Sequence, residues 1–332
     1  MFPHRALHYS LLTFIFSLLL LCSCGSHRNT VDGTSAASAR KVAVSNNEGT
    51  HASADGWTLV WEEGFDTDGK LNPDDWRFEH GYVRNHEYQW YCEENAWKED
   101  GCLVIEGRHD PDGVRYGNPD ALADPTRRLR PGQVAARPQY TASSVNTRGR
   151  HEWLYGRFEV RAKIPVRSGA WPAIWTLGVE RPWPVNGEID IMEYYRRSGV
   201  PHILANACWG SDEGRPTWST GAIPFTHFTD RDAQWADKFH VWRMDWDEDY
   251  IRLYLDDELL NEIPTSADAC AHPGDFRWLG KAGSYSQRLY DAFHQPHYLL
   301  LNLAIGGDNG GEPDPADYPQ RYLIDYVRVW QR

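Results

Sequence analysis

Basic residues are in the minority in this sequence of 332 residues. It has 34 lysines and arginines against 47 aspartates and glutamates, which gives a net charge of −13 and an isoelectric point near 5.5. Proteins hold nucleic acids largely through an excess of basic side chains that face the phosphates. The acidic balance therefore disfavours a nucleic acid as the partner of this protein.

Cysteine is also scarce. The six cysteines include no C-x-x-C pair, a spacing that zinc and redox sites often use, so a zinc or redox centre is improbable. Two of the six lie near the N-terminus, and two states fit the remaining four: a disulfide between Cys92 and Cys102 across a hairpin-like loop, or buried thiols. The sequence leaves the state of these four open: Cys92, Cys102, Cys208 and Cys270.

Two common catalytic motifs are missing. The chain has no G-x-S-x-G motif, which places the nucleophile of many serine hydrolases, and no glycine-rich loop of the kind that cradles phosphates. The chemistry must therefore be sought among other residues.

Long apolar runs are confined to the N-terminus. The run Leu11–Leu21 follows Arg5 and is too short to span a bilayer comfortably, which is typical of a signal peptide. It ends in L-C-S-C-G, which looks like a bacterial lipobox with the small Ser23 before Cys24. We therefore expect residues 1–24 to be a lipoprotein signal peptide with lipid attached to Cys24; the alternative is an ordinary secretory signal. The first interpretation predicts an exported protein that is anchored to the bacterial outer membrane through its lipid only, on the periplasmic or the cell-surface face.

Residues 25–56 and 57–332 differ in composition. The first segment is rich in Ser, Ala, Asn, Thr and Gly and has almost no large apolar residues, so we expect a flexible linker. The second is long enough for one domain with a full core, and it is dominated by short β-rich runs. In Phe158–Ile164, for example, every second residue is apolar. This pattern indicates an all-β sandwich. We expect long connections at 109–139, 210–238 and 265–294, and the second, which contains Trp218, is a candidate wall of a cleft.

The stretch E-I-D-I-M-E, residues 188–193, concentrates carboxylates on one strand. Alternation places Glu188 and Asp190 on one face, and a β-bulge at Ile191–Met192 would return Glu193 to that face. Like charges this close should raise at least one pKa. Two carboxyl groups roughly 5–5.5 Å apart are what a retaining glycosidase requires. The alternatives are a solvated strand face and a metal site; the strand has no histidine at ligand spacing to support the second.

The motif and its surroundings resemble glycoside hydrolase family 16, whose active-site signature is ExDxxE with a β-bulge. The resemblance extends over nearly all of 57–332 and rests on these further segments: W-T-L-V-W-E-E-G-F at 57–65, R-N-H-E-Y-Q-W-Y at 84–91, E-D-G-C-L-V-I-E at 99–106, Y-G-R-F-E-V-R-A-K-I-P at 155–165, G-A-W-P-A-I-W-T-L-G at 169–178, F-H-V-W-R-M-D-W at 239–246, L-L-L-N-L-A-I-G-G at 299–307 and D-Y-V-R-V-W-Q at 325–331.

This resemblance implies a fold and a mechanism. The fold is a β-jelly roll sandwich of two antiparallel sheets with a concave substrate cleft. Glu188 is then the nucleophile, Glu193 the acid/base and Asp190 an assisting carboxylate, in an enzyme that needs no cofactor. Separately, we expect a monomer. Many members bind a structural calcium; Gly101 and Asp325 match parts of that site, whereas Gly64 replaces an acidic residue.

Sugar contacts are expected from aromatic and polar residues. Sixteen Trp and seventeen Tyr exceed what a core of this size needs, and pyranose rings stack on aromatic faces. Their positions in the resembling motifs indicate the following substrate-binding residues: Asn85, Glu87, Trp90, Trp171, Trp175, Trp183 and Trp209.

Two departures from the laminarinase pattern leave the substrate open. Cys208, in N-A-C-W, replaces a histidine, which suggests that Trp209 walls the subsite next to the nucleophile; Arg84–Glu87 replaces a glycine-rich segment. Three functions remain. The first is a laminarinase-like β-1,3- or mixed-linkage glucanase. The others are an endo-β-galactosidase acting on mucin-type O-glycans or related galactose-containing chains, and a non-catalytic carbohydrate-binding jelly roll.

Overall fold

Strands carry the fold in this computed structural model, which describes residues 56–113, 138–211, 214–271 and 287–332. The strands of this part of the chain are β1 Thr58–Glu63, β2 Arg77–Phe78, β3 Gln89–Tyr91, β4 Ala96–Glu99, β5 Cys102–His109, β6 Tyr140–Ala142, β7 Ser144–Asn146, β8 Gly156–Lys163, β9 Ala170–Gly178, β10 Glu188–Arg197, β11 Val200–Gly210, β12 Pro216–Pro224, β13 His240–Trp246, β14 Tyr250–Leu255, β15 Glu258–Pro264, β16 His297–Ile305 and β17 Gln320–Gln331. The short helices among them are α1 Thr226–Thr229, α2 Ala267–Ala271, α3 Gln287–Phe293 and α4 Gly307–Gly310.

The strands form two largely antiparallel sheets. A ten-stranded sheet runs in the order β15-β14-β13-β8-β17-β5-β6-β3, with β1 paired to β17 and β4 paired to β5. A seven-stranded sheet runs β12-β11-β10-β9-β16-β7-β2, so that β10 lies near its middle. The prediction of an all-β jelly roll sandwich is confirmed.

The core lies between the sheets. Every second side chain of β8, from Phe158 to Ala162, is buried, as the alternation of its sequence predicts. These residues share one apolar cluster with Ile189 and Ile191 of β10 and with Trp242 of β13. Burial of this apolar surface is the main stabilising contribution. It leaves the other face of the seven-stranded sheet available for polar residues.

The prediction that residues 210–238 form a long connection is wrong in one respect. Residues 216–224 form β12, which pairs with β11 from His202 to Gly210 and is the edge strand of its sheet. Its exposure alternates between exposed and half-buried residues, so it lacks the apolar signal of a core strand. Most of the other two predicted connections, residues 114–137 and 272–286, lies outside the described residues.

The cysteines of the domain are thiols. The Cys92 Sγ–H donates to Asn95 Oδ1 over 2.8 Å, and no disulfide joins Cys92 to Cys102 among the described residues. Cys208 and Cys270 are buried thiols. All four are free thiols, as in the second of the two states that the sequence left open, with Cys102 half-buried and the other three buried.

All described residues fall within one compact unit, Gly49–Arg332. The predicted signal peptide, the lipidation site Cys24 and all of the linker except Gly56 lie outside the described residues. Within the part of the chain that the structure describes, no helix is both long and apolar enough to cross a membrane.

Candidate active site

A β-bulge in β10 brings the three acidic residues of the motif onto one face. Asp190 pairs with Asn206 of β11, but Glu193 pairs with Leu204, so three residues of β10 oppose two of its neighbour. The same shift occurs against β9. Ile191 and Met192 are both completely buried, which anchors the extra residue in the core. The predicted bulge is confirmed.

The three carboxylates face a cleft of about 800 Å³ on the outer face of the seven-stranded sheet. Strands β9 to β12 and β16 form its floor, and the segment around Asn85 forms part of its wall. Its lining residues are Arg84, Asn85, Glu87, Trp171, Ala173, Trp175, Leu177, Trp183, Glu188, Asp190, Glu193, Tyr195, Arg197, Asn206, Trp218, Thr220, Asn302, Ala304 and Asn309.

Glu193 is held by two donors. Trp171 Nε1–H donates to its Oε1 over 2.9 Å, and Asn206 Nδ2–H donates to its Oε2 over 3.0 Å. Burial raises the pKa of Glu193 to about 7; the Trp171 hydrogen bond opposes this increase and the charge of Glu188 adds to it. Glu193 is therefore protonated below neutral pH, as a general acid must be.

Glu188 and Asp190 share a different environment. Burial raises the pKa of Glu188, and hydrogen bonds from Asp190 and from Trp183 Nε1, the latter 2.5 Å long, favour its ionised form. Burial, together with the charges of Glu193 and Glu188, raises the pKa of Asp190 well above its usual range. The raised pKa favours the protonated form of Asp190, whose hydroxyl donates a hydrogen bond to Glu188 and so orients that carboxylate.

The site thus places Glu188, whose ionised form two hydrogen bonds favour, on the same face as Glu193, whose pKa is about 7. Environments that separate the protonation states of two carboxyl groups are the mark of acid/base and nucleophile pairs. This arrangement can deliver a nucleophile and a proton to the two ends of one glycosidic bond.

Five of the seven predicted substrate-binding residues line the cleft. Trp183 is half-exposed, whereas Trp171 and Trp175 line the cleft but are largely buried. Trp175 Nε1–H donates to Asn302 Oδ1 over 2.7 Å. Asn85 and the buried Glu87 complete the set, and the backbone carbonyl of Asn85 accepts a hydrogen bond from the N–H of Asp308 in α4.

The other two predicted residues lie elsewhere. Trp209 is 2% exposed and packs edge-on against Phe293 in the core. Alternation explains the error: Asn206 faces the cleft, so Trp209, three residues later, points to the opposite face. Trp90 packs edge-on against Tyr82 and is not among the residues that line the cleft.

Several cleft residues were not predicted as sugar contacts. The Arg84 guanidinium lies 5.0 Å from the centre of the Trp175 ring and forms an ion pair with Glu79. Asn206 and Thr220 are directly paired across β11 and β12. The alternation of β11 could have identified Asn206, since it precedes Cys208 by two residues; no sequence signal marks Thr220.

The structure gives little support for the expected calcium site. The carboxylate of Asp325 accepts a hydrogen bond from Arg161 Nη1 over 2.7 Å, so a cation already neutralises it. Among the described residues, no group of three or more His, Cys, Asp or Glu side chains is gathered to hold a metal ion. The calcium site is not confirmed, and no step of the chemistry below depends on calcium.

Comparisons with known proteins agree with this geometry. The family profile described as Glycosyl hydrolases family 16 matches residues 127–276. A β-glucanase of Rhodothermus marinus is 33% identical over 294 residues, which cover 83% of this chain and 85% of that protein. The laminarinase catalytic domain of Thermotoga maritima superposes with a TM-score of 0.63 at 32% identity, covering 83% of this chain and 98% of that one.

A further solved structure comes from work on endo-acting O-glycanases of the human gut microbiota that initiate mucin breakdown. It superposes with a TM-score of 0.66 at 29% identity and covers 84% of this chain and 92% of that one. With the bulged carboxylate strand at the centre of the cleft, these similarities show that the chain belongs to glycoside hydrolase family 16 and is an endo-acting glycosidase.

Proposed function

We propose that the chain hydrolyses internal β-1,3 or mixed β-1,3 and β-1,4 linkages of glucans with retention of configuration, as a laminarinase-like enzyme. The observation that carries this proposal is the bulge, which sets Glu188 and Glu193 on one face of β10 in the cleft. The similarity to the Rhodothermus β-glucanase and to the Thermotoga laminarinase supports the glucan substrate.

The first chemical step forms a covalent intermediate. A carboxylate oxygen of Glu188 attacks the anomeric carbon, and the bond from that carbon to the glycosidic oxygen breaks. The proton of Glu193 passes to the departing oxygen, so the leaving sugar chain is released as an alcohol. The hydrogen bonds that Glu193 accepts from Trp171 and Asn206 stabilise the carboxylate formed.

The second step releases the product. Glu193, now ionised, takes a proton from a water molecule whose oxygen attacks the anomeric carbon. The bond to Glu188 breaks, and both carboxyl groups return to their starting states. Two inversions at the same carbon give a product with the β configuration.

A second candidate is an endo-acting O-glycanase or endo-β-galactosidase that cleaves mucin-type or related galactose-containing chains. Two observations favour it: the similarity to the gut O-glycanase structure, and the departures from the laminarinase pattern at Arg84 and Cys208. Arg84 stacks on Trp175 in the cleft, and Cys208 is paired with Glu188 across β10 and β11. Both departures therefore lie beside the reacting centre.

Product analysis separates the candidates. The purified enzyme is incubated with laminarin, barley mixed-linkage glucan and mucin O-glycans, and the products are followed by chromatography and proton NMR. The proposal expects the first product to be a β-anomer from laminarin or barley glucan. Release from mucin glycans alone would replace the glucanase with the second candidate. Glu188→Gln and Glu193→Gln should each reduce turnover by at least about 10²-fold.

We further propose that the protein is exported as a monomer and anchored to the outer membrane through lipid on Cys24, without other membrane contact. The support comes from the sequence: an apolar run of signal-peptide length, a small residue before Cys24, and a linker of 25–56 that gives the domain reach. An anchored position would keep the cleft near incoming polysaccharide.

A further inference from the structure

Trp218 is an exposed aromatic residue on the edge strand β12. Its side chain is 45% exposed and lines the same cleft as the catalytic carboxylates. The register of the sheet places it in one cross-strand row with two residues described above: Trp218 pairs with Cys208, and Cys208 pairs with Glu188. Thr220, two residues later, lines the cleft in the next row, beside Asn206 and Asp190.

The opposite face of β12 accounts for the direction in which Trp218 points. At Gly221 the strand approaches β15 so closely that a Cβ would lie 2.7 Å from the carbonyl oxygen of Leu260. Because side chains alternate along a strand, Trp218 and Thr220 take the face that Gly221 does not. A single exposed apolar residue carries little information by itself. Here the exposed indole extends a row that begins at the proposed nucleophile.

The spacing of the row decides which sugar Trp218 could meet. Neighbouring strands lie about 4.8 Å apart, so the backbone of Trp218 is roughly 10 Å from that of Glu188. The sugar attacked by Glu188 must touch that carboxylate, and a residue two strands away meets a unit further along the same chain. The flat face of an indole suits the apolar face of a pyranose, since contact removes both from water.

We propose that Trp218 and Thr220 form an additional subsite that binds a hexopyranose unit of the β-linked substrate chain beyond the unit attacked by Glu188. This inference rests on the proposed function, because it assumes that the chain enters the cleft across β10, β11 and β12. Trp218 supplies the stacking surface, and the hydroxyl of Thr220 supplies a hydrogen-bonding group beside it.

The test compares long and short substrates. Trp218→Ala, Trp218→Phe and the wild type are assayed on laminarin and barley glucan and on a short chromogenic β-glucoside that cannot reach β12. We expect Trp218→Ala to lower the ratio of kcat/KM on the long substrates to kcat/KM on the short substrate by about tenfold. Trp218→Phe should retain most of the wild-type ratio. Leu259→Ala is the matched control: Leu259 is 48% exposed, lies on β15 and is not among the cleft residues, so its ratio should stay at the wild-type value.

Equal losses on long and short substrates would assign Trp218 a structural role and overturn the subsite, as would no loss at all. A wild type that hydrolyses neither glucan overturns the proposed function, and binding then decides about the subsite. The Glu188→Gln variant and the double variant Glu188→Gln/Trp218→Ala are compared by affinity electrophoresis, in gels that contain laminarin, barley glucan or mucin glycans. If a glycan retards the Glu188→Gln variant more than the double variant, the subsite is supported. Equal retardation of the two proteins, or no retardation of either, overturns the subsite.

Discussion

The side-chain amide of Asn206 donates a hydrogen bond to Glu193 Oε2 over 3.0 Å, from the strand that pairs with β10. Amide donors favour the ionised form of a carboxyl group. Asn206 therefore lowers the pKa of Glu193 toward the value of about 7 that burial would otherwise exceed. Asn206 lies two residues before Cys208, the position at which the chain departs from the laminarinase pattern.

Asn206→Ala should move the alkaline limb of the pH–kcat/KM profile to higher pH. Without its donor the carboxyl of Glu193 keeps its proton longer, and a hydrogen bond to a charged group of 1.5–3 kcal/mol corresponds to about one to two pH units. Asn302→Ala is the control, because the hydrogen bonds of Asn302 go to Trp175 and Tyr91. An alkaline limb that stays in place in Asn206→Ala would contradict the assignment of Glu193 as the acid.

Trp183→Phe should move the opposite limb. Phenylalanine keeps the aromatic surface but removes the N–H that favours ionised Glu188, so the pKa of Glu188 rises and activity on the acidic side is lost at higher pH than in the wild type. Trp171→Phe removes a donor to Glu193 instead and should move the alkaline limb upward. If Trp183→Phe and Trp171→Phe moved the same limb of the pH profile, Glu188 and Glu193 would not hold the separate roles of nucleophile and acid.

Glu193→Gln should stabilise the protein in a pH-dependent way. The folded-state pKa of Glu193, about 7, lies above its ordinary value of 4.5, so the wild type loses stability as the pH rises from 4.5 through 7. The loss amounts to at most about 3 kcal/mol. Thermal unfolding should therefore show a higher Tm for Glu193→Gln at pH 8, and a smaller difference at pH 4.5.

Glu258→Gln is a control of opposite sign. Burial raises the pKa of Glu258, but the hydrogen bonds and charges of His227 and Arg231 together outweigh it and lower the pKa below its ordinary value, so the charged form contributes stability above the ordinary pKa. That contribution is present at pH 8 and disappears as the pH falls through the lowered pKa. Equal changes in Tm for the two variants at pH 8 would contradict the linkage argument.

Variants at Trp209 and Arg84 should distinguish a residue that stabilises the fold from a residue that selects the substrate. Trp209→Ala removes a large core side chain and should cost about 3–5 kcal/mol of unfolding free energy, with unchanged ratios of kcat/KM among substrates. Arg84→Lys keeps the charge but loses the planar group that stacks on Trp175, so we expect these ratios to change. Chemical denaturation and the three-substrate panel measure both effects. Changed ratios in a folded Trp209→Ala protein would return Trp209 to the cleft.

Cys24→Ala tests the proposed anchor. Cell fractionation should find the wild type with membranes and the variant in the soluble exported fraction, because the lipid is the proposed means of attachment. Cys92→Ala is the matched control and should stay with the membranes. A Cys24→Ala protein that still sediments with membranes would remove the lipid proposal.

The catalytic strand could be predicted because its signal is local. Alternation, a known signature and like charges all converge on Glu188, Asp190 and Glu193, and the bulge follows from the requirement that all three share a face. The two-sheet architecture follows in the same way from period-two runs such as that of β8.

Trp209, Trp90 and β12 were harder to place because they depend on tertiary packing. A tryptophan in a resembling motif gives the same sequence signal whether its side chain faces a sugar or the core. Only the position of Asn206 in the cleft shows that the side chain of Trp209 takes the opposite face. The edge strand β12 has neither a buried run nor strict apolar alternation, so its pairing with β11 becomes visible only in three dimensions.

The bulge at Ile191–Met192 makes the active site sensitive to the number of residues as well as to their identity. Removing one of these residues would abolish the bulge, and strict alternation would still place the acid/base carboxyl on the face of the nucleophile; inserting one more residue would turn that carboxyl toward the core, while the nucleophile stayed in place. Apolar exchanges at these two buried positions keep the number of residues and should be tolerated far better than an insertion. Along this strand the two bulge residues can therefore vary among apolar side chains, whereas one added residue would separate the acid/base from the nucleophile.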